Sequence, residues 1–143
     1  MTLQSLLYAI TETAIKQKLI QYAAAGSDIY KLNSLTVVDW PVLFASPTGS
    51  HTVGDNTTEY EITLYYLDRL LQDGSNDIEI ESVAIEGLKN LIKWIAQIQG
   101  VVEVQQEYDI RNFTETEAFS DACAGAWATI RIKTLNAIIC PEI

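Results

Sequence analysis

The sequence predicts one α+β domain, with two helices packed on one face of an antiparallel β-sheet in the order α-β-β-α-β-β and a long β-hairpin. Three stretches carry this expectation. Residues 76–99 hold the longest run of apolar positions that fit a single helical period, among them Ile80, Ala84, Leu88, Leu91, Ile92 and Ile95. Residues 59–70 alternate with the two-residue period of a strand. Residues 122–135 alternate in the same way, with Ala124, Ala126, Ala128, Ile130 and Ile132 on one face. At 143 residues the chain makes one domain, 1–143, able to bury about two-thirds of its unfolded surface. Hydrophobic residues at 48% and charged residues at 20% describe a globular protein and exclude a disordered one.

The first helix is expected over 3–24, capped by Thr2, with Leu3, Leu7, Ile10 and Ala14 on one face. Glu12, Lys16 and Lys18 interrupt its apolar residues, so it reads as neither a signal peptide nor a membrane span, and the product is expected to be soluble and intracellular. Gly26-Ser27-Asp28 ends it, and 35–38 is a candidate short strand. Residues 41–46 read as a strand that opens at Pro41, where the missing N–H costs no ladder bond. Residues 47–58 carry two glycines, one proline and mostly small polar side chains, with Val53 almost alone as a hydrophobe; they are expected to be a mobile hairpin tip.

The strand at 59–70 puts Tyr60, Ile62, Leu64 and Tyr66 on one face and Glu61, Thr63, Tyr65 and Leu67 on the other. A turn at 72–75 leads into the central helix. Asn76 with Glu79 reads as its cap, and Gly100 as its left-handed stop. Val83 and Trp94 widen the apolar arc of that helix to roughly 200°, more than one surface needs. Trp94 is therefore placed between the two helices or against another subunit. Val102, Val104, Tyr108 and Ile110 form the next strand, 112–121 a loop, 122–135 the last strand, and 136–143 a short tail.

Little in the sequence points to catalysis. His51 is the single histidine and sits in the hairpin tip without a second ligand or a partnering nucleophile. Asp73, Ser75 and Asp77 have the first spacings of a calcium loop, but Ile78 and Ala84 stand where its glycine and bidentate glutamate belong. Cys123 and Cys140 lack a CxxC spacing and read as buried thiols. No phosphate-cradling glycine motif occurs. A net charge of −10 argues against gripping a phosphate backbone. No enzyme, cofactor or metal is expected. Instead, parity along the last strand leaves Trp127, Arg131 and Lys133 on the sheet face opposite the helices, and along the strand at 59–70 it leaves there either Tyr65 and Leu67, the expected choice, or Tyr60, Ile62, Leu64 and Tyr66. Large apolar groups on such a face suggest an oligomer interface, to which Trp94 is added.

The element order, the strand Tyr60-Glu61-Ile62-Thr63-Leu64-Tyr65-Tyr66, the Ser75-Asn76-Asp77 helix entry and the closing Ala122-Cys123-Ala124-Gly125-Ala126-Trp127 together resemble the tail-completion or tail-terminator proteins of bacteriophages. The likeness is to the neck ring proteins of crAss-like phages in particular. It implies a virion structural protein of the head-to-tail connector, assembled in the host cytoplasm as a hexameric or dodecameric ring beside other neck, tail or portal-associated proteins. It also implies that the hairpin tip, through Thr48, Ser50, His51, Thr52, Val53, Asp55 and Asn56, reaches a neighbouring ring or the channel. DNA would pass through that channel without sequence-specific binding, and no membrane is involved. The other expectation, from the residues alone, is a cytosolic α+β module, dimeric, that binds a small molecule or a peptide.

Overall fold

A computed structural model of the chain describes residues 1–17, 20–29, 40–70, 75–115 and 123–136. In chain order these form α1 (Leu3–Ile15), β1 (Tyr22–Ala25), β2 (Val42–Val53), β3 (Thr57–Arg69), α2 (Asp77–Ile95), β4 (Val101–Val104), β5 (Ile110–Glu115) and β6 (Cys123–Leu135). The expected strand at 35–38, residues 72–74 of the turn, residues 116–121 of the loop, Cys140 and the tail at 137–143 lie outside the described residues.

The class is α+β, but the sheet is mixed rather than purely antiparallel. Its strands run β1-β2-β3-β6-β4, with β5 also paired to β6. β1 lies parallel to β2, and every other pairing is antiparallel. Two strands are additional to the expected order. The first helix stops at Ile15 instead of continuing to residue 24, and Tyr22–Ala25 pairs with β2 from Val42 to Ala45. Alanine favours helix in isolation, so here a long-range ladder overrides local propensity. The expected single strand from Val102 to Ile110 divides into β4 and β5, because the chain leaves the edge of β6 after Val104 and rejoins it at Ile110. Residues 112–115, expected in a loop, belong to β5.

Helix boundaries follow local chemistry. At α1, Ser5 N–H donates to Thr2 Oγ1 at 3.1 Å and Thr2 N–H donates to Ser5 Oγ at 3.0 Å, a reciprocal cap. At α2 the expected side-chain cap does not form: the Asn76 amide instead donates back to the Arg69 carbonyl at 3.2 Å, tying the helix entry to the end of β3. Asp77 and Glu79 still lie at its positive end and Lys93 at its negative end. Gly100 ends the following turn at φ 95°, a left-handed conformation that a side chain would strain.

The larger core cluster joins Leu6, Ile10 and Ala14 of α1 and Ala84, Leu88, Leu91 and Ile95 of α2 to Leu43, Ile62, Leu64, Tyr66, Ala126 and Ile130 of the sheet. Two glycines shape it. A Cβ on Gly87 would lie 2.5 Å from Cε2 of the Tyr66 ring, so the bare helix backbone is what lets that ring sit beneath α2. A Cβ on Gly125 would meet the Tyr66 carbonyl oxygen at 1.8 Å, closing the space in which β6 passes β3. The Tyr66 hydroxyl is buried without a hydrogen-bond partner among the described residues. Burial, and secondarily the Asp68 carboxylate, pushes its pKa up to about 12.

Candidate functional site

The sheet face away from the larger cluster differs from the bare apolar patch expected. Its upper half is closed by a second cluster, in which Ile29, Val42, Phe44, Leu67 and Cys123 are buried and Tyr65, Trp40 and Phe113 pack against them. Leu67, expected at an exposed interface, is 0% exposed, buried in the cluster it forms with Ile29 and Phe44. Tyr65 is half-buried, edge-on to Phe113 at 5.7 Å and tilted against Trp127 at 6.4 Å between ring centroids. Trp127 keeps part of its surface open, with Arg111 directly across the ladder from it.

The lower half of that face is polar and internally paired. Arg131 reaches Glu59 at 3.2 Å and Glu61 at 3.1 Å, and Lys133 lies 3.7 Å from Glu103. The Thr48 hydroxyl donates to Glu61 at 2.8 Å, and the Thr63 and Thr129 hydroxyls meet at 2.8 Å. Arg131 and Lys133, expected to face a neighbour, are thus committed to carboxylates of their own sheet. Alternation placed them on the correct face. It could not show that Glu59, Glu61 and Glu103 come to the same place.

Trp94 stays 41% exposed at the side of α2, above a shallow groove shared with Thr13 and Lys16 near the end of α1. It borders the helix pair instead of filling the space between them. Val83 is likewise 40% exposed. The two residues that widen the apolar arc of α2 are therefore left partly uncovered.

Residues 47–58 form regular strand over most of their length. β2 continues to Val53 and β3 begins at Thr57, so only Gly54, Asp55 and Asn56 lie between the strands. The ladder slips between Pro47 and His51, where Gly49 takes φ 88°. Every residue from Thr48 to Asn56 is exposed, and the His51 ring rests edge-on to Tyr60 at 5.3 Å. Asn136 braces the tip, donating its side-chain amide to the Gly54 carbonyl at 3.1 Å. The hairpin is a braced arm that carries Ser50, Thr52, Val53 and Asp55 outward.

Two grooves border the sheet. One, of about 910 Å³, lies where the chain loops between β4 and β5, lined by Lys89, Gln105, Tyr108, Asp109, Arg111 and Trp127. Gln105 bridges the gap in the ladder: its backbone N–H donates to Arg131 O at 2.9 Å, and its side-chain oxygen accepts from Arg131 N–H at 3.1 Å. Burial raises the Tyr108 phenol above its ordinary range, and a hydrogen bond to Glu86 does the same for Lys89. The other groove, of about 470 Å³, runs between α1 and β1, lined by Leu3, Leu7, Tyr8, Ala23, Ala25 and Pro47. Residue patterns missed this groove because they assigned its strand to the helix. Among the described residues, no three His, Cys, Asp or Glu side chains gather to hold a metal ion, and no helix is long and apolar enough to cross a membrane.

Comparison with known proteins leaves the chemistry of these surfaces to stand alone: no family model matches the chain, and no curated protein matches it.

Proposed function

We propose that this protein is a virion structural protein that forms a ring in the head-to-tail connector of a tailed bacteriophage, as the resemblance of its sequence suggests. The observation that supports the reading best is the β2–β3 arm. A hairpin whose nine residues from Thr48 to Asn56 are all exposed, yet which is held in register and braced by Asn136, is built to touch something beyond its own domain. Thr48, Ser50, His51, Thr52, Val53, Asp55 and Asn56 are the residues that would meet a neighbouring ring or the channel. Trp94 and Trp127, both partly open, are the aromatic anchors for adjacent copies. The charge of −10 suits a channel along which DNA slides without sticking.

A ring joins two different patches head to tail, whereas a twofold dimer joins one patch to itself. Native mass spectrometry with negative-stain imaging of the purified chain tests the proposal. Closed assemblies of six or twelve copies are the expected result, and a species that stops at two copies over the whole concentration range would overturn it. That second outcome would favour a dimeric peptide- or small-molecule-binding module, for which the apolar groove beside β1 is the relevant feature.

A further inference from the structure

We infer that neighbouring copies join edge to edge, with β5 of one copy adding to β1 of the next so that the sheet runs on from subunit to subunit. The inference rests on the ring reading and names the surfaces such a ring would join.

The first observation is the direction of the backbone groups at the two edges. In β1, Tyr22 and Gly26 donate their N–H groups inward, to the carbonyls of Pro41 at 3.3 Å and Ala45 at 3.1 Å. Successive residues of a strand turn their backbone groups to opposite sides, so those of Ala23 and Ala25 point outward. On the far edge, Leu135 N–H donates to Gly100 O and Gln105 N–H donates to Arg131 O, both at 2.9 Å. The odd-numbered residues of β6 therefore face the β4 and β5 side. Their partners Arg111 and Phe113 face inward to Trp127 and Gly125, which leaves the backbone groups of Ile110, Asn112 and Thr114 pointing outward.

The second observation is that these two edges stand at the same height. Following the register across the sheet, one row runs Ala23, Leu43, Tyr66, Ala126, Asn112, and another runs Ala25, Ala45, Leu64, Ala128, Ile110. The outward-facing residues of β1 and β5 occupy the same rows. Strand direction agrees as well: the single parallel pairing of β1 with β2 makes β1 run opposite to β5. When a second copy is set beside the first with the same end up, its β5 therefore meets β1 antiparallel. Ala23 falls opposite Asn112 and Ala25 opposite Ile110, each pair able to exchange both N–H···O bonds. Had β1 been antiparallel to β2, the same arrangement would have given a parallel junction.

The third observation is the groove beside β1, which is apolar and, among the described residues, has no charged one in its lining. Ile110 belongs to the sheet face that packs in the larger core cluster and is only half-buried in its own subunit. Opposite Ala25 of the next copy, its open side would lie against Leu3, Leu7 and Pro47, and the alanines of β1 leave it room. β4 makes a poorer joint: its ladder with β6 is irregular between Val101 and Glu103, and it places Glu103 at the rim, features that discourage strand addition.

Two experiments on the full chain test this. Ala23→Cys combined with Asn112→Cys, in a Cys140→Ser background, should give a ladder of covalent multimers on mild oxidation, while each single variant stays monomeric on a non-reducing gel. Asn112→Pro removes an outward N–H and no internal ladder bond. It should melt as cooperatively as the parent while rings disappear from native mass spectra. Rings that persist with Asn112→Pro and give no ladder would overturn the edge junction and leave the ring reading standing. Cross-linking by Ala23→Cys alone would also overturn it, by showing β1 against β1. A parent chain that forms no oligomer at any concentration would overturn both.

Discussion

Replacing Gly87 with alanine tests the packing at the centre of the domain, because two opposing effects meet there. In the interior of a helix, alanine is favoured over glycine by roughly 1 kcal/mol. Against that, the new methyl carbon would stand 2.5 Å from Cε2 and 2.9 Å from Cδ2 of Tyr66, well inside van der Waals contact. The ring is 1% exposed and cannot swing into solvent. Overpacking of this kind costs about 1–3 kcal/mol, so a net loss of about 0–2 kcal/mol is expected once the propensity gain is subtracted. In a Tyr66→Leu background the clash is gone, and Gly87→Ala should stabilise by about 0.5–1 kcal/mol through propensity alone. The double-mutant cycle then carries a coupling of roughly 2 kcal/mol. Urea unfolding of the four proteins, followed by circular dichroism, measures it, provided the slopes agree. If Gly87→Ala stabilises the parent, or costs the same in both backgrounds, the reasoning is wrong.

Leu67→Ala should cost about 2–5 kcal/mol in the isolated subunit, because the side chain is fully buried; a loss under 0.5 kcal/mol in a melting experiment would return Leu67 to an open face. Arg131→Ala should cost on the order of 1 kcal/mol, since its two ion pairs are partly exposed, and the difference from the parent should shrink in 1 M salt as screening shortens to about 3 Å. The folded-state pKa of Tyr66 is raised, so the stability linked to its protonated form is complete below its unfolded value near pH 10 and is lost as pH climbs through about 12. Tyr66→Phe should remove that part of the alkaline decline and should not weaken the fold at pH 7, because the lost hydroxyl has no hydrogen-bond partner among the described residues; pH-dependent urea midpoints check both. Trp94→Ala should cost the subunit about 1–2 kcal/mol, less than for a fully buried tryptophan, while reducing ring yield in native mass spectra.

The parts legible in the sequence are those fixed by strong local periods. α2, β3 and β6 stand where their patterns put them, and the alternation of β6 correctly turned Ala126 and Ile130 toward the larger core cluster, whereas on β3 it left open which of the two apolar faces was covered. The parts that escaped are fixed by partners far away in the chain. Tyr-Ala-Ala-Ala is a better helix than strand until β2 is beside it, and a parallel pairing leaves no local mark. β5 reads Ile-Arg-Asn-Phe-Thr-Glu, whose polar residues look like a loop because an edge strand need bury little. At the candidate surfaces, alternation gave the face of each side chain but not its neighbours. Arg131 therefore looked available until Glu59 and Glu61 were seen beside it, and Leu67 until Ile29 and Phe44 were. The edge residues Ala23, Ala25, Ile110 and Asn112 matter through their backbone groups, which residue type does not reveal.

The pairing of β3 with β6 also governs when a newly made chain can become a subunit. Thr63 waits for Thr129, 66 residues downstream, which at about 5–20 residues per second is roughly 3–13 s of synthesis. Through that interval β3 has β2 on one side and no strand on the other, so the sheet stops at an unpaired edge. Its bare edge carries Ile62, Leu64 and Tyr66, a segment able to pair with the wrong chain on a crowded ribosome. The strand that completes the core is also the one on which β5 assembles. A chain cut short before residue 123 would thus lack both its core and its outer edge, and unfinished copies would be excluded from any assembly that uses that edge.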